Sequence, residues 1–354
     1  MIIRYEVFDE DYIPEEILFR DAQISRFSFN LKPALYKSRP INMLCLGPPA
    51  TGKTTVTKHI LNSAEGYLTG VYINCQINQS KQQIFSRIFQ RLYGYIPPSG
   101  LSFQKLYSAI LKKVVERDDV LFIVLDDINF LPSKLLNEVL HTLLKGHEEL
   151  QGFKIGIAGI STDMKTSATL ESRTFSLFHP DEIVFPVYDM DEMMEILRRR
   201  AEIGVLEGKV LDSALELIVE RAFEYLDLRF GINLLKLSIL NADKKGKDCV
   251  DVKDVEEVVD EGRGIFFKKM VSALSKDEIE VLLAIYTSEE RFTGEMYSSF
   301  KSKMSYTKFY EILRKLENLR LIDTAVRYDK GLRRYVLRRF KPEEIIDAVE
   351  KYSL

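Results

Sequence analysis

A chain of 354 residues is longer than one ordinary core and predicts three domains. Its 46% hydrophobic and 29% charged residues, with only 11 Pro and 18 Gly, describe a helix-rich globular protein and exclude a disordered or fibrous one. The longest apolar run, Val120 to Leu125, is far short of the roughly 20 residues that span a bilayer, and no basic-then-apolar leader opens the chain, so a cytoplasmic protein with no membrane partner is expected. Cys45, Cys75 and Cys249 lack CxxC spacing and read as buried free thiols, not as a disulfide framework or zinc site.

The net charge of -3 conceals an asymmetry. Between Lys301 and Lys341 stand thirteen Lys and Arg against four acids, Glu311, Glu317, Asp323 and Asp329, which leaves the remainder acidic by about twelve charges. One end of the chain is built to meet an anion.

In chain order, Tyr12-Ile-Pro-Glu-Glu-Ile-Leu-Phe-Arg-Asp-Ala-Gln comes first, with Pro14 opening a short helical pattern that runs into Ile24 to Leu35. Ile41 to Leu46, Val71 to Asn74, Val120 to Leu125 and Ile155 to Ile160 are β-rich runs separated by helical patterns. The alternation predicts a parallel sheet with crossover helices over residues 1–185. After Phe185-Pro186 the pattern is helical only, in Asp191 to Ile203, Leu211 to Tyr225, Leu228 to Leu240 and Val252 to Glu261. This defines a second unit, 186–265, and Glu261-Gly-Arg-Gly264 is expected to loosen the chain before a third, 272–354.

Within the first unit, Gly47-Pro48-Pro49-Ala50-Thr51-Gly52-Lys53-Thr54-Thr55 matches GxxxxGK[ST] between a strand and a helix. Glycines let backbone N–H groups turn inward around phosphate, Lys53 can reach the β and γ phosphates, Thr54 offers a hydroxyl to Mg²⁺, and the helix N-terminus adds its positive end. ATP or ADP with Mg²⁺ is therefore the expected ligand. Some seventy residues on, Val120-Leu-Phe-Ile-Val-Leu-Asp-Asp127 ends a buried strand in two carboxylates, Asp126 to hold Mg²⁺ and Asp127 as general base.

In the third unit, Ser275 to Tyr286, Gly294 to Phe300 and Ser305 to Leu319 read as helices. Ser275 with Glu278 forms a capping-box pattern on the first. Leu321 to Arg327 and Arg333 to Arg339 alternate as two strands around Asp329-Lys-Gly331, a hairpin signal. Three helices and a basic wing make a winged helix. Lys308, Arg314 and Lys315 lie on the outer face of its third helix, and Arg327, Lys330, Arg333 and Arg334 lie on the wing.

The order of these boxes resembles the AAA+ initiator clade, in particular archaeal replication initiators of the origin-recognition and cell-division-control type. The resemblance covers nearly the whole chain, from Tyr12 to the C-terminal region. It implies an α/β AAA+ P-loop core with a parallel sheet, an all-helical lid and a winged-helix DNA-binding domain. It also implies that the Tyr12 to Asp21 box packs beside the adenine, with Phe19 where a His is common.

By the same resemblance, Ile155 to Asp163 is the sensor 1 strand with Thr162 at its Asn position, Arg173 is a partner-directed arginine finger, and Tyr188 opens the lid. Arg200 joins that tyrosine at the nucleotide, and Arg229 is the sensor 2 arginine on the γ-phosphate. Ile96 to Phe103 falls where initiators insert a helical wedge that touches DNA, or is simply a helix-joining loop. In family-like docking the third helix of the winged helix meets the major groove and the wing follows phosphate or an adjacent minor groove.

Two departures bear on turnover: Thr162 replaces Asn, and Asp127 is one methylene shorter than the usual Glu. Small displacements of a catalytic water can cost orders of magnitude in rate, so ATP binding is a firmer expectation than fast hydrolysis. The expected function is a double-stranded DNA binder that marks replication origins, helps recruit the replicative helicase and acts with other initiator copies, with slow hydrolysis as its switch. A nucleotide-locked transcription regulator, and a signalling or transposition-helper AAA+ ATPase, remain open from sequence.

Overall fold

Leu121, Ile123 and Leu125 belong to one buried cluster of the protein, and Val120, Phe122 and Val124 to another. This is the period-two signature of a strand buried on both faces. The computed structural model describes the chain except Met1, Arg291, 329–331 and 353–354, and it does not describe the side chains of Val326, Arg327, Tyr328, Leu332 and Arg333. The chain divides into two compact units, Asp9–Ile196 and Met1–Phe8 with Leu197–Leu354.

The first unit runs α1 (Asp21–Leu31), β1 (Met43–Leu46), α2 (Lys53–Ser63), β2 (Thr69–Asn74), α3 (Lys81–Tyr93), α4 (Phe103–Glu116), β3 (Leu121–Asp126), α5 (Ser133–Leu144), α6 (Gly146–Glu149), β4 (Ile155–Ser161), α7 (Thr166–Thr169), α8 (Ser172–Phe178) and β5 (Asp181–Val184). All strand pairs are parallel, in the order β2-β3-β4-β1-β5. The residues on one face of the sheet cluster with Ile84, Phe85 and Ile88 of α3, Leu106 and Ile110 of α4 and Leu140 of α5. The other face clusters with Phe27 and Leu31 of α1 and with Val56 and Ile60 of α2. The expected strands are present, β4 ending at Ser161 so that Thr162 lies just past it.

One local reading is corrected, and one strand lay outside the readings. No helix starts at Pro14: residues 13–20 are irregular, Phe19 adopts φ 58, and α1 begins at Asp21. The edge strand β5, Asp-Glu-Ile-Val, is too short and polar to register as a β run; only Ile183 is buried in it.

Helix α9 (Met190–Gly204) carries the boundary between the units. The second unit continues with α10 (Asp212–Tyr225), α11 (Leu228–Lys244), α12 (Val252–Val271), α13 (Lys276–Thr287), α14 (Thr293–Phe300), α15 (Tyr306–Asn318), β6 (Ile322–Tyr328), β7 (Leu332–Arg338) and α16 (Pro342–Tyr352). The break expected at Glu261 to Gly264 is absent, because α12 runs through it to Val271. A Cβ on Gly262 would make ordinary contacts, 3.4 Å from Leu234 and 3.7 Å from Phe230, whereas one on Gly264 would lie 2.8 Å from the Tyr352 hydroxyl, so only Gly264 is closely approached. The helical segment and the winged helix thus share one unit. They are joined by an aromatic cluster in which Tyr225 lies 4.8 Å from Phe230, 5.1 Å from Phe266 and 5.6 Å from Phe340, ring centre to ring centre.

The winged helix has the expected caps: Ser275 and Glu278 form a capping box on α13, and the Ser305 hydroxyl accepts from the Lys308 amide on α15, contacts worth about 1 kcal/mol each. Strands β6 and β7 pair antiparallel, and Phe292 adds a bridge to Tyr335. The turn expected at Asp329 to Gly331 lies outside the described residues.

Candidate nucleotide site and nucleic-acid interface

The phosphate loop leaves β1 at Leu46 and enters α2 at Lys53. Gly47 is required by close approach, since a Cβ there would lie 2.3 Å from the Phe185 carbonyl oxygen. Gly52 caps α2 at φ 85, and a Cβ there would lie 2.8 Å from the Tyr188 hydroxyl. Between them Ala50 holds φ 59, a left-handed conformation that costs an L-residue roughly 1 to 2 kcal/mol. The Lys53 ammonium donates to the carbonyls of Gly47 (2.7 Å) and Pro48 (2.6 Å), and the Thr51 hydroxyl also donates to Pro48 (2.8 Å). Pro49 and Thr55 are on the loop and the first turn of α2.

Asp126, at the end of β3, is 3% exposed and draws together three donors. Its Oδ2 accepts from the Thr54 hydroxyl at 2.7 Å and from the Tyr72 phenol at 2.6 Å, and its Oδ1 accepts from the Asp127 amide at 2.9 Å. A hydroxyl and a carboxylate this close are the hard oxygen donors that suit Mg²⁺. Tyr72, on β2, was not legible as a site residue. Burial and the neighbouring Asp126 push its phenol well above the usual range, so it remains a proton donor. Burial beside the same carboxylates pushes the Cys75 thiol up to about 12, and Cys45 to about 12 as well, which makes both inert. Cys249 is only half-buried.

Asp127 follows in a left-handed conformation, φ 58. Two residues on, Asn129 Oδ1 accepts from the Thr162 amide and the Ser161 hydroxyl, both at 3.3 Å. This ties the end of β3 to the end of β4 and identifies a further residue that the motif did not reveal. The Thr162 hydroxyl oxygen is buried and has no hydrogen-bond partner among the described residues, a spare donor where the resemblance expects sensor 1.

A second missed residue is Arg20. It is 1% exposed, its Nε donates to the Thr51 carbonyl (3.0 Å), its Nη1 to Phe19 (2.6 Å) and its Nη2 to Pro186 (2.8 Å), and its guanidinium lies 3.7 Å from the Tyr188 ring centre. Burial lowers its pKa while Tyr188 and Glu192 counteract. Tyr188 thus finds its cation in Arg20 of the Tyr12 to Asp21 box. Arg200, in the other unit, donates to the Val7 carbonyl. Arg229 pairs with Asp227, the N-cap of its own helix, at 3.1 Å. Arg173 stands on α8 with its side chain 72% exposed, 3.7 Å from Glu171.

In the winged helix two of the expected DNA contacts are engaged elsewhere. Lys308 pairs with Asp277, and Lys315 with Glu278 at 2.8 Å and with the Ala273 carbonyl at 3.1 Å. The outward basic face of the third helix is therefore not a uniform one: the lysines lean onto α13, where two acids wait at its first turn. Burial raises Glu278, but Lys315 and the Ser275 amide outweigh it and hold that carboxyl low. Arg314 is exposed on α15, and Arg334 is exposed on β7 with its guanidinium 5.9 Å from the Tyr310 ring centre. Lys330 lies outside the described residues. Arg327 and Arg333 fall on β6 and β7 with their side chains not described. The Ile96 to Phe103 segment is an exposed connection between α3 and α4, ending in the first residue of α4.

A five-stranded parallel sheet with a phosphate loop after β1, paired carboxylates after β3 and a helical segment beyond defines an α/β AAA+ protein. Residues 37–161 match the AAA domain family and residues 194–260 the Cdc6 AAA+ ATPase-type lid domain. The chain is 40% identical over 352 residues to the ORC1-type DNA replication protein 2 of Archaeoglobus fulgidus, covering 98% of this chain and 92% of the relative. It is 35% identical over 354 residues to that of Methanosarcina mazei, covering 98% and 95%. The chain belongs to the ORC1-type DNA replication protein family. Among solved structures, the Aeropyrum pernix ORC1 protein in complex with DNA shares the fold at a TM-score of 0.73 and 23% identity, over 99% of this chain and 97% of that one. The Aeropyrum pernix ORC2 protein, in ADPNP-ADP complexes, does so at 0.71 and 21%, over 99% and 98%. No helix among the described residues is long and apolar enough to cross a membrane.

Proposed function

We propose that this chain is an ATP-switched initiator that binds double-stranded DNA at replication origins and helps recruit the replicative helicase, slow hydrolysis ending the active state. The observation that carries the reading is the 40% identity to an ORC1-type replication protein along nearly the whole chain, with the phosphate loop and its carboxylates joined by the Thr54 to Asp126 hydrogen bond. The family relatives solved with DNA and with ADPNP and ADP support both ligands.

Bound Mg²⁺ and ATP would supply the charge and the transferable phosphoryl group; Thr54 and Asp126 would hold the metal. Lys53 places an ammonium inside the loop, where it can exchange the carbonyls of Gly47 and Pro48 for phosphate oxygens. Arg20 and Tyr188 fix the loop from behind through Thr51. With nucleotide bound, Asp127 would accept a proton from the attacking water and Thr162 would donate to the γ-phosphate; Arg229 is assigned to that phosphate on the family resemblance. Arg200 is assigned to the nucleotide and Arg173 to a second initiator copy, on the family resemblance. Arg314, Arg327, Lys330, Arg333 and Arg334 are assigned to DNA, in a protein of the cytoplasm and nucleoid. The three-domain division at 185, 265 and 272 is retained as a functional one.

The reading is tested by calorimetry of ATP binding to the full chain and to Lys53→Ala. Loss of binding in the variant is expected, and unchanged affinity would overturn the site.

A further inference from the structure

Resting on that reading of the C-terminal unit as a DNA binder, we infer that sequence is read by a tyrosine face, Tyr306 and Tyr310 beside Arg334, which receives a thymine methyl group in the major groove.

Helix α15 has its inner face fixed by Phe309, Ile312, Leu313 and Leu316, all buried. One flank carries Lys308 and Lys315, which lean onto Asp277 and Glu278, and Lys303 likewise pairs with Glu280. A phosphate approaching there meets carboxylates as well as cations, so that flank contributes little net attraction.

The other flank is different in kind. Tyr306, in the first turn of α15, is 55% exposed, with its ring centre 4.4 Å from that of Tyr310 and 5.2 Å from that of Tyr297. Tyr310 is anchored in turn. The Thr293 hydroxyl donates to the Arg334 carbonyl at 3.2 Å, and having one proton it accepts from the Tyr310 phenol at 2.8 Å. Three elements, α14, α15 and β7, thus converge on this one pair of rings.

A large aromatic held in place yet open to solvent is not part of the core. The residues at the N-terminal end of a recognition helix are the ones that reach base edges. The Tyr306 phenol could donate to a phosphate oxygen, but its exposed ring face is apolar, and the complement of an apolar face in the groove is the thymine C5-methyl group. Arg334, on the wing beside the same rings, supplies the neighbouring phosphate contact.

The test uses the full-length chain and a pool of duplexes with a random core. The best-bound duplex is resynthesised with deoxyuridine at each thymine in turn, which removes only the methyl group. Wild type is expected to lose affinity at one or two of these positions. Tyr306→Ala should bind the thymine duplex about ten-fold more weakly, the scale of a lost base contact, and be indifferent to deoxyuridine at those positions. Its salt dependence should stay as in wild type, and Tyr306→Phe should retain the thymine preference. The inference is overturned if no thymine matters to wild type, if Tyr306→Ala keeps the same preference, or if Tyr306→Phe loses as much affinity as Tyr306→Ala, as a phenol hydrogen bond to phosphate would require. If wild type selects no duplex from the pool, the DNA-binding reading itself fails.

Discussion

The Arg20 guanidinium stacks on the Tyr188 ring, 3.7 Å from its centre, while donating to the Thr51 carbonyl of the phosphate loop. A residue 31 positions before Thr51 and one 137 positions after it in the chain are thereby locked to the loop. Arg20→Ala would leave three carbonyls without this donor, a loss of about 2 kcal/mol or more. Arg20→Lys should rescue little, because an ammonium cannot reproduce the planar fork and the stacking. Both variants are expected to lower the unfolding midpoint and weaken ATP binding. Wild-type affinity in Arg20→Lys would show that the stack is dispensable.

The proposed turnover rests on Asp127. Asp127→Asn should slow single-turnover hydrolysis without lowering ATP affinity, whereas Asp127→Glu should speed it by restoring the longer reach. If wild type and Asp127→Asn are equally slow, the protein is a non-hydrolysing switch and the transcription-regulator reading gains.

Arg320 stands between the helical segment and the winged helix, 7% exposed, and donates to the Leu226 carbonyl next to Asp227, the residue that holds Arg229. Burial lowers its pKa to about 10. Arg320→Ala removes its packing and orphans the carbonyl, a cost of about 2 kcal/mol. Arg320→Met should cost less, since it keeps the stem and removes a buried charge. Denaturant unfolding of the full chain decides, and equal stability of wild type and Arg320→Ala would remove the pin.

Arg314→Ala with Arg334→Ala should weaken binding to random and selected DNA alike and lower the log-log salt slope by about two units, one for each phosphate contact. Lys308→Ala should change the slope little, because its ammonium is already paired with Asp277. A fall of about one unit in Lys308→Ala would restore that lysine as a phosphate contact.

Motifs whose chemistry needs adjacent residues were legible in the sequence: the Gly47 to Thr55 loop, the Asp126-Asp127 pair, and the helices and strands of the winged helix. What escaped depends on partners far along the chain. Arg20 and Tyr72 look like ordinary residues until Thr51, Pro186 and Asp126 come to meet them. Gly262 and Gly264 read as a break on propensity, yet α12 continues through them because Val258, Gly262, Phe267 and Val271 bury one face of it. Helix α16, Pro342–Tyr352, was not anticipated either; Ile345, Ala348 and Val349 are its buried residues. Lys308 and Lys315 do lie on the polar face of α15, but helical periodicity shows only which face is polar, not which polar group has an acid on the neighbouring helix.

The most direct test of the initiator reading is genome-wide occupancy of the full-length protein, mapped against the positions where nascent DNA strands begin. Peaks centred on those starting points are predicted. Peaks centred on promoters, with none at the starting points, would contradict the account.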